Sequence, residues 1–238
     1  MQDITTGNSM PDFLQYPDRE TLMENIAEDV AAQLTAAISI RGRASLAVPG
    51  GTTPAPFLNL LSNADLDWSK VNVMLTDERF VPETSDRSNT RLLRQTFLQN
   101  KAAAANLVPF YKPANQPEDV LTDLTAAITA ALPLDVCVLG MGEDMHTASL
   151  FPEADRLGEG LDLEGTVVLL PMRAPGAQEP RLTLTASVLR AARNIHILIT
   201  GEGKKTAFEA ALIEGPASEA PIRVVLDAPV PVDVHYAD

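Results

Sequence analysis

Residues 134–139, LDVCVL, form a short and almost purely apolar run, entered from Pro133 and closed by Gly140. Branched side chains with so hard a stop are the pattern of a strand buried on both faces, and such strands belong to sheets that helices cover on both sides. The run opens directly into GMGEDMHTASLFP, which sets two glycines, Glu143, Asp144, His146 and Thr147 ahead of the next apolar residues, Leu150 and Phe151. Flexible backbone, acids and an imidazole at the end of a buried strand fall where open α/β sheets bind ligands. Taken alone, the stretch also admits a blander form: a strand-to-helix turn whose polar residues cap and solvate.

The rest of the chain repeats the alternation. Leu22, Ile26, Val30, Leu34 and Ile38 recur every four residues through 19–39, a helical period that Arg41-Gly42 ends. ASLAVP (44–49) reads as a buried strand, GGTTP follows it, and Pro54 suits the first turn of a helix reaching Leu61. VNVMLT (71–76) is a further strand, ending in Asp77-Glu78-Arg79. Ser88 is placed to cap a helix with Leu92, Leu93 and Phe97 inward. A helix near 117–131 precedes the 134–139 run. Beyond it, 166–170, 194–200 and 222–226 read as strands, RLTLTASVLRAA as a capped helix, and GEGKKTAFEAALIE as a turn plus helix. Residues 1–17 are polar and punctuated by proline, a leading strand or an arm. The predicted fold is α/β: a doubly wound, mostly parallel sheet with helices on both faces, Rossmann-like. No linker, repeat or charge block divides it, so a single domain over residues 1–238 is expected.

Composition removes several function classes. A formal charge of −14 argues against nucleic acid or an anionic membrane as a bulk partner, while leaving room for a small anion held by a local basic cluster. The one cysteine, Cys137, lies inside the apolar run and is expected to be a small buried hydrophobe. MQDITTGNSM lacks the basic-then-apolar order of a signal peptide, and no apolar run approaches 18 residues. A cytoplasmic protein is the expectation. His196, within a strand, and His235, near the C-terminus, are expected in structural or solvent roles, and no Cys/His spacing suggests zinc.

Four apolar runs end in polar sequence of a distinct kind: GGTTP, DERF, GMGEDMH and GEGKK. In a parallel sheet these ends share one edge, where a crevice forms. GGTTP suits an anion, with close-approach glycines before a helix start, or is a tight turn with a threonine cap. Lys204 either neutralises an anion or solvates a helix face. Arg79 is either a partner of Asp77 and Glu78 or a ligand clamp. Full nucleotide-binding motifs fail: Leu198 breaks the phosphate-loop spacing, and Met145 stands where the third glycine of a dinucleotide fingerprint belongs. Ser149 is near His146, but no nucleophilic triad is identifiable.

VPGGTTP, LTDERFVP, SDRSNTR, LGMGEDMHTASLFP, PRLTLT and GEGKK, in this order, resemble the 6-phosphogluconolactonases. The resemblance spans roughly residues 20–226, and HTASLFP after the acidic turn is its most specific part. It implies a doubly wound α/β fold and hydrolysis of 6-phosphoglucono-δ-lactone to 6-phosphogluconate, in the oxidative pentose phosphate pathway, without a cofactor. The catalytic histidine falls on His146, with Asp144 or Glu143 to orient it, unless Asp144 caps the next helix. Substrate and phosphate handling falls on Gly50, Gly51, Thr52, Asp77, Arg79, Asn89, Arg181 and Lys204. A lactone is an activated ester, so a neutral imidazole that takes a proton from water and returns it to the departing ring oxygen suffices. Backbone N–H groups of the glycine-rich turn are expected to hold the oxyanion. Two alternatives stand beside this: a glucosamine-6-phosphate isomerase/deaminase using Asp77 as base, and a non-catalytic sugar-phosphate sensor. Nothing in the sequence sets the oligomeric state, monomer or small homo-oligomer.

One position departs from the resemblance. The family usually has glycine immediately before the histidine, and here Met145 stands there. With every other motif residue present, the expectation is an ordinary φ at Met145, with its side chain turned away from the substrate.

Overall fold

Strand β6 (Val136–Gly140), expected from the 134–139 run, is fourth of seven strands in a parallel sheet. The computed structural model describes residues 10–238, so the first nine residues of the expected arm lie outside the described residues. The order across the sheet is β1 (Asp12–Gln15), β10 (Val232–Ala237), β9 (Asn194–Thr200), β6, β2 (Ala44–Val48), β3 (Val71–Leu75) and β5 (Asn106–Leu107). Every pairing in it is parallel. The C-terminal ends of β2, β3, β6 and β9 therefore do share one edge, and the polar runs that follow them are brought together there.

Helix α1 (Arg19–Arg41) follows its sequence signals closely. Asp18 caps it by accepting from the Thr21 N–H at 2.7 Å, and Gly42, at φ 74°, ends it with its N–H on the Ile38 carbonyl. Leu22, Ile26, Val30 and Leu34 are fully buried beneath it. The helices α2 (Ala55–Leu61), α3 (Asn89–Thr96) and α4 (Leu121–Ala131) follow in the first half of the chain. Behind β6 come α5 (Leu157–Gly160), α6 (Ala186–Leu189), α7 (Glu202–Ala211) and α8 (Arg223–Leu226). Cys137 is buried as expected, and burial pushes its thiol up to about 12.

Three expectations fail, each for a physical reason. The segment 222–226 is the short helix α8 and its N-cap, because four buried apolar residues around a half-buried Arg223 have no period that tells strand from helix. The last strand is β10, where a half-buried Asp233 and a fully buried His235 interrupt the apolar run that marks the other strands. RLTLTASVLRAA is not one helix: Arg181–Leu184 form strand β8 and only Ala186–Leu189 turn helical. Strand β8 pairs antiparallel with β7 (Leu169–Met172) on one side and β4 (Asp77–Arg79) on the other. The strand expected at 166–170 is thus real but displaced to 169–172 and lies in this small second sheet. The small sheet matters for function, since its register sets Arg79 directly opposite Arg181.

His196 and His235 are both fully buried, in line with structural roles. Burial pushes His196 down to about 3 and His235 down to about 4, so both imidazoles are neutral at pH 7.

Candidate active site

A cleft of about 360 Å³ opens at the shared strand edge. Its lining comes from Pro49–Gly51 after β2, Asp77 and Arg79 of β4, Gly140–Gly142 and His146 after β6, Arg181 of β8, and Lys204 in α7. The turn after β6 is held from within: the Gly142 N–H donates to the His146 carbonyl at 2.9 Å, and the Met145 N–H returns to the Gly142 carbonyl at 3.0 Å. Thr147 Oγ1 donates to the Gly140 carbonyl at 2.9 Å and ties the far side of the turn to the strand end.

Inside that turn His146 Nδ1 meets Asp144 Oδ1 at 2.5 Å. The hydrogen bond to His146 is the main cause that holds the Asp144 carboxyl below its usual range. Asp144 therefore orients the imidazole and is ionised beside it. A carboxylate on Nδ1 fixes the tautomer with the proton there, leaving Nε2 as the basic nitrogen. The pair explains Gly142, where a Cβ would fall 2.1 Å from His146 Nδ1 and 2.2 Å from Asp144 Oδ1. Glu143 plays no part in this contact; its Oε1 lies 2.7 Å from where a Cβ on Gly203 would stand.

Met145 has φ 62°, so the expected ordinary φ is corrected to a left-handed one. The turn needs that conformation to close the Gly142–His146 hydrogen bonds, which is why a glycine suits the position. The other half of the expectation holds: Met145 packs against the core and does not line the cleft. Its carbonyl accepts from the Ile222 N–H at 3.0 Å, anchoring the turn to the segment before α8.

On the opposite wall, Arg79 and Arg181 face each other across the β4–β8 pairing. The Glu78 side chain does not pair with the Arg79 guanidinium. Fully buried, it caps α3 by accepting from the Asn89 N–H at 2.8 Å and the Thr90 N–H at 2.7 Å, and it also takes the Arg79 N–H at 2.7 Å. Burial raises the Glu78 carboxyl despite these bonds. Asp77 accepts from Ser149 Oγ at 2.6 Å and lies 3.9 Å from Arg181 Nη1. Three buried side-chain polar atoms lack a hydrogen-bond partner among the described residues: Arg79 Nε, Asn89 Oδ1 and Arg181 Nε. All three belong to residues of this cleft. Orphaned buried groups are costly, so their gathering in one place marks a spot that something else is meant to fill.

Lys204, on the first turn of α7, makes no side-chain hydrogen bond or ion pair among the described residues. Gly50 and Gly51 line the cleft, and neither donates its backbone N–H to another described residue. A Cβ on Gly50 would fall 2.1 Å from the Asn89 side chain, so glycine there lets the loop reach Asn89. Thr52 is the exception among the expected site residues. It faces a neighbouring depression with Arg19 and Asn59, and Thr53 lines the cleft instead. The expectation that the turn after β6 supplies oxyanion donors meets a limit too, because the Gly142 N–H is already bound to the His146 carbonyl.

Sequence reasoning missed Phe151 and the role of Ser149. The Phe151 ring centroid lies 4.3 Å from that of His146, and the Arg181 guanidinium carbon stands 5.7 Å from the same centroid. Nothing in an isolated phenylalanine marks it as the neighbour of two polar site residues.

The family model described as glucosamine-6-phosphate isomerases/6-phosphogluconolactonase matches residues 17–232. A 6-phosphogluconolactonase of Mesorhizobium japonicum is 50% identical over 93% of this chain and 93% of its own length. One of Rhizobium meliloti is 47% identical over 93% of this chain and 97% of its own. The crystal structure of a 6-phosphogluconolactonase from Shewanella baltica superposes with a TM-score of 0.93 at 34% identity, covering 97% of this chain and all of that one. The cleft, its histidine–aspartate pair and its facing arginines thus stand on a chain that belongs to the glucosamine-6-phosphate isomerase/6-phosphogluconolactonase family.

Proposed function

We propose that the chain hydrolyses 6-phospho-D-glucono-1,5-lactone to 6-phospho-D-gluconate, as a 6-phosphogluconolactonase of the oxidative pentose phosphate pathway. The observation that carries this is the pairing, in one cleft, of an oriented imidazole with two arginines whose buried Nε atoms have no partner among the described residues. His146 acts as general base. Its Nε2 takes a proton from water as the oxygen attacks C1, and the tetrahedral intermediate collapses with that proton passing to the ring oxygen. Asp144 stabilises the imidazolium formed between the two steps. Arg79, Arg181 and Lys204 hold the phosphate, and its binding energy fixes C1 against the base. Asn89, with its orphaned Oδ1, accepts a substrate hydroxyl, and the free amides of Gly50 and Gly51 meet an anionic oxygen.

The deaminase alternative needs Asp77 as a carboxylate base. Here Asp77 is buried and already accepts from Ser149, which favours a fixed role beside Arg181. Lactone turnover above the spontaneous rate, without ammonia release from glucosamine 6-phosphate, tests the assignment. Ammonia release with no lactone turnover would replace it with the deaminase. Binding without either turnover would leave the sensor. No helix of the described residues is long and apolar enough to cross a membrane. The same proposal takes the chain as one domain, working in the cytoplasm as a monomer or small homo-oligomer.

A further inference from the structure

Two residues back along β9 from Leu198, and outside the cleft lining, β9 and β10 place three potential metal ligands on one face of the sheet. The register pairs His196 with Asp233, and His235 follows Asp233 by two, so all three side chains share the face. One donor atom from each lies within 4.8 Å of the others. His196 Nδ1 is 2.9 Å from His235 Nε2 and 3.8 Å from Asp233 Oδ2. The outward ring nitrogens are already held: His196 Nε2 by Gln33 Oε1 at 2.8 Å, and His235 Nδ1 by the Tyr16 hydroxyl at 3.0 Å. This is the arrangement metal-bound histidines adopt, with the second nitrogen fixed by a neighbour so that the first points at the ion.

We propose that His196, His235 and Asp233 bind a divalent transition cation of the zinc class. Two imidazoles and a carboxylate are a donor set such ions accept, with water completing a tetrahedron. Metal–nitrogen bonds of about 2.0–2.1 Å require the two ligand nitrogens to stand about 3.3 Å apart. The present 2.9 Å needs to open by only a few tenths of an ångström. Protons balance by one tautomer change. The His235 proton on Nε2 moves to Nδ1, where the Tyr16 hydroxyl turns to accept it, while His196 keeps its Nε2 proton on Gln33. Asp233 is partly exposed, with Asp12 opposite it in the β1–β10 register and Asp29 one turn before Gln33 on α1. None of these three acids forms an ion pair with lysine or arginine among the described residues, so the mouth of the site carries negative charge that a cation would offset. Bound there, the ion would join β9 and β10 and, through Gln33 and Tyr16, α1 and the segment after β1.

The test uses the untagged, chelator-treated chain titrated with Co²⁺, whose visible bands report tetrahedral coordination. One equivalent with tetrahedral bands is expected, retained in His146→Asn, lost in His235→Gln and weakened at least tenfold in Asp233→Asn. Absence of such binding in the wild-type chain overturns the proposal. So does binding that His146→Asn abolishes, which would put the ion on the His146–Asp144 pair. Should His235→Gln not fold, unchanged affinity in Asp233→Asn, at a part-exposed surface position, is equally decisive against it.

Discussion

Arg79 and Arg181 stand directly opposite one another in the β4–β8 pairing, two like charges in register with neither Nε bonded among the described residues. Like charges so placed oppose sheet formation. Burial is the main cause that pushes the Arg181 guanidinium below its ordinary range, with Asp77 opposing and Arg79 adding. An unfavourable pair built into a strand register is explained if a phosphate completes it. Lys204, with no other side-chain partner among the described residues, tests this with least structural disturbance. Lys204→Ala is expected to raise KM for the phosphorylated lactone about 10–100-fold, since hydrogen bonds to charged groups contribute about 1.5–3 kcal/mol. Hydrolysis of unphosphorylated gluconolactone should stay near wild type. Equal losses on both substrates would assign the lysine to structure or chemistry.

Asp144 bonds to the His146 imidazole without itself lining the cleft. Asp144→Asn keeps the size of the side chain but removes the charge that steadies the imidazolium. A fall in kcat of about 10–10³-fold with little change in KM is expected, by the logic that an aspartate behind a histidine sets tautomer and orientation. Steady-state kinetics separate this from a folding defect. A rise in KM with kcat intact would mean that Asp144 serves binding.

Met145 holds φ 62° without being glycine. A left-handed residue with a Cβ costs about 1–2 kcal/mol, while glycine loses about 0.5–1 kcal/mol of chain entropy on folding. Met145→Gly is therefore expected to leave stability unchanged or raise it by up to about 1.5 kcal/mol. Because the side chain lies outside the cleft, kcat/KM should change by less than about tenfold, under ~1.4 kcal/mol. Urea midpoints and initial rates read both. A gain in kcat/KM of a hundredfold would show that Met145 obstructs the site.

Cys137 supplies a pH-dependent probe of the whole fold. With the thiol raised to about 12 by burial, the reactive thiolate is about one part in ten thousand at pH 8. Alkylation at pH 8 should be slow in the native chain and accelerate steeply in urea, in step with the loss of circular dichroism. Fast labelling of the native protein would mean that β6 opens locally.

How much was legible before the structure follows from where each signal resides. The Gly42 end of α1 and the Ser88 cap of α3 are local chemistry, and they fall where the sequence puts them; the Asp18 cap of α1 comes from the structure. Buried strands β2, β3, β6 and β9 announce themselves as short apolar runs, and their parallel order brings His146, Arg79 and Lys204 together as expected. Strand β10 was hidden because Asp233 and His235 find buried partners that are distant in sequence. The Arg79–Arg181 opposition needed the antiparallel register of β4 and β8, about a hundred residues apart, which no local pattern encodes. Thr52 and Thr53 could not be told apart, since one step along a turn decides which residue reaches the cleft.

The most direct measurement compares kcat for 6-phosphogluconolactone in the wild-type chain and His146→Asn, each corrected for spontaneous hydrolysis. The wild type should exceed the blank clearly, and His146→Asn should fold normally while kcat drops by about 10²–10⁴, the contribution of a positioned general base. A variant rate within a few-fold of wild type would contradict the assignment of His146 as the base.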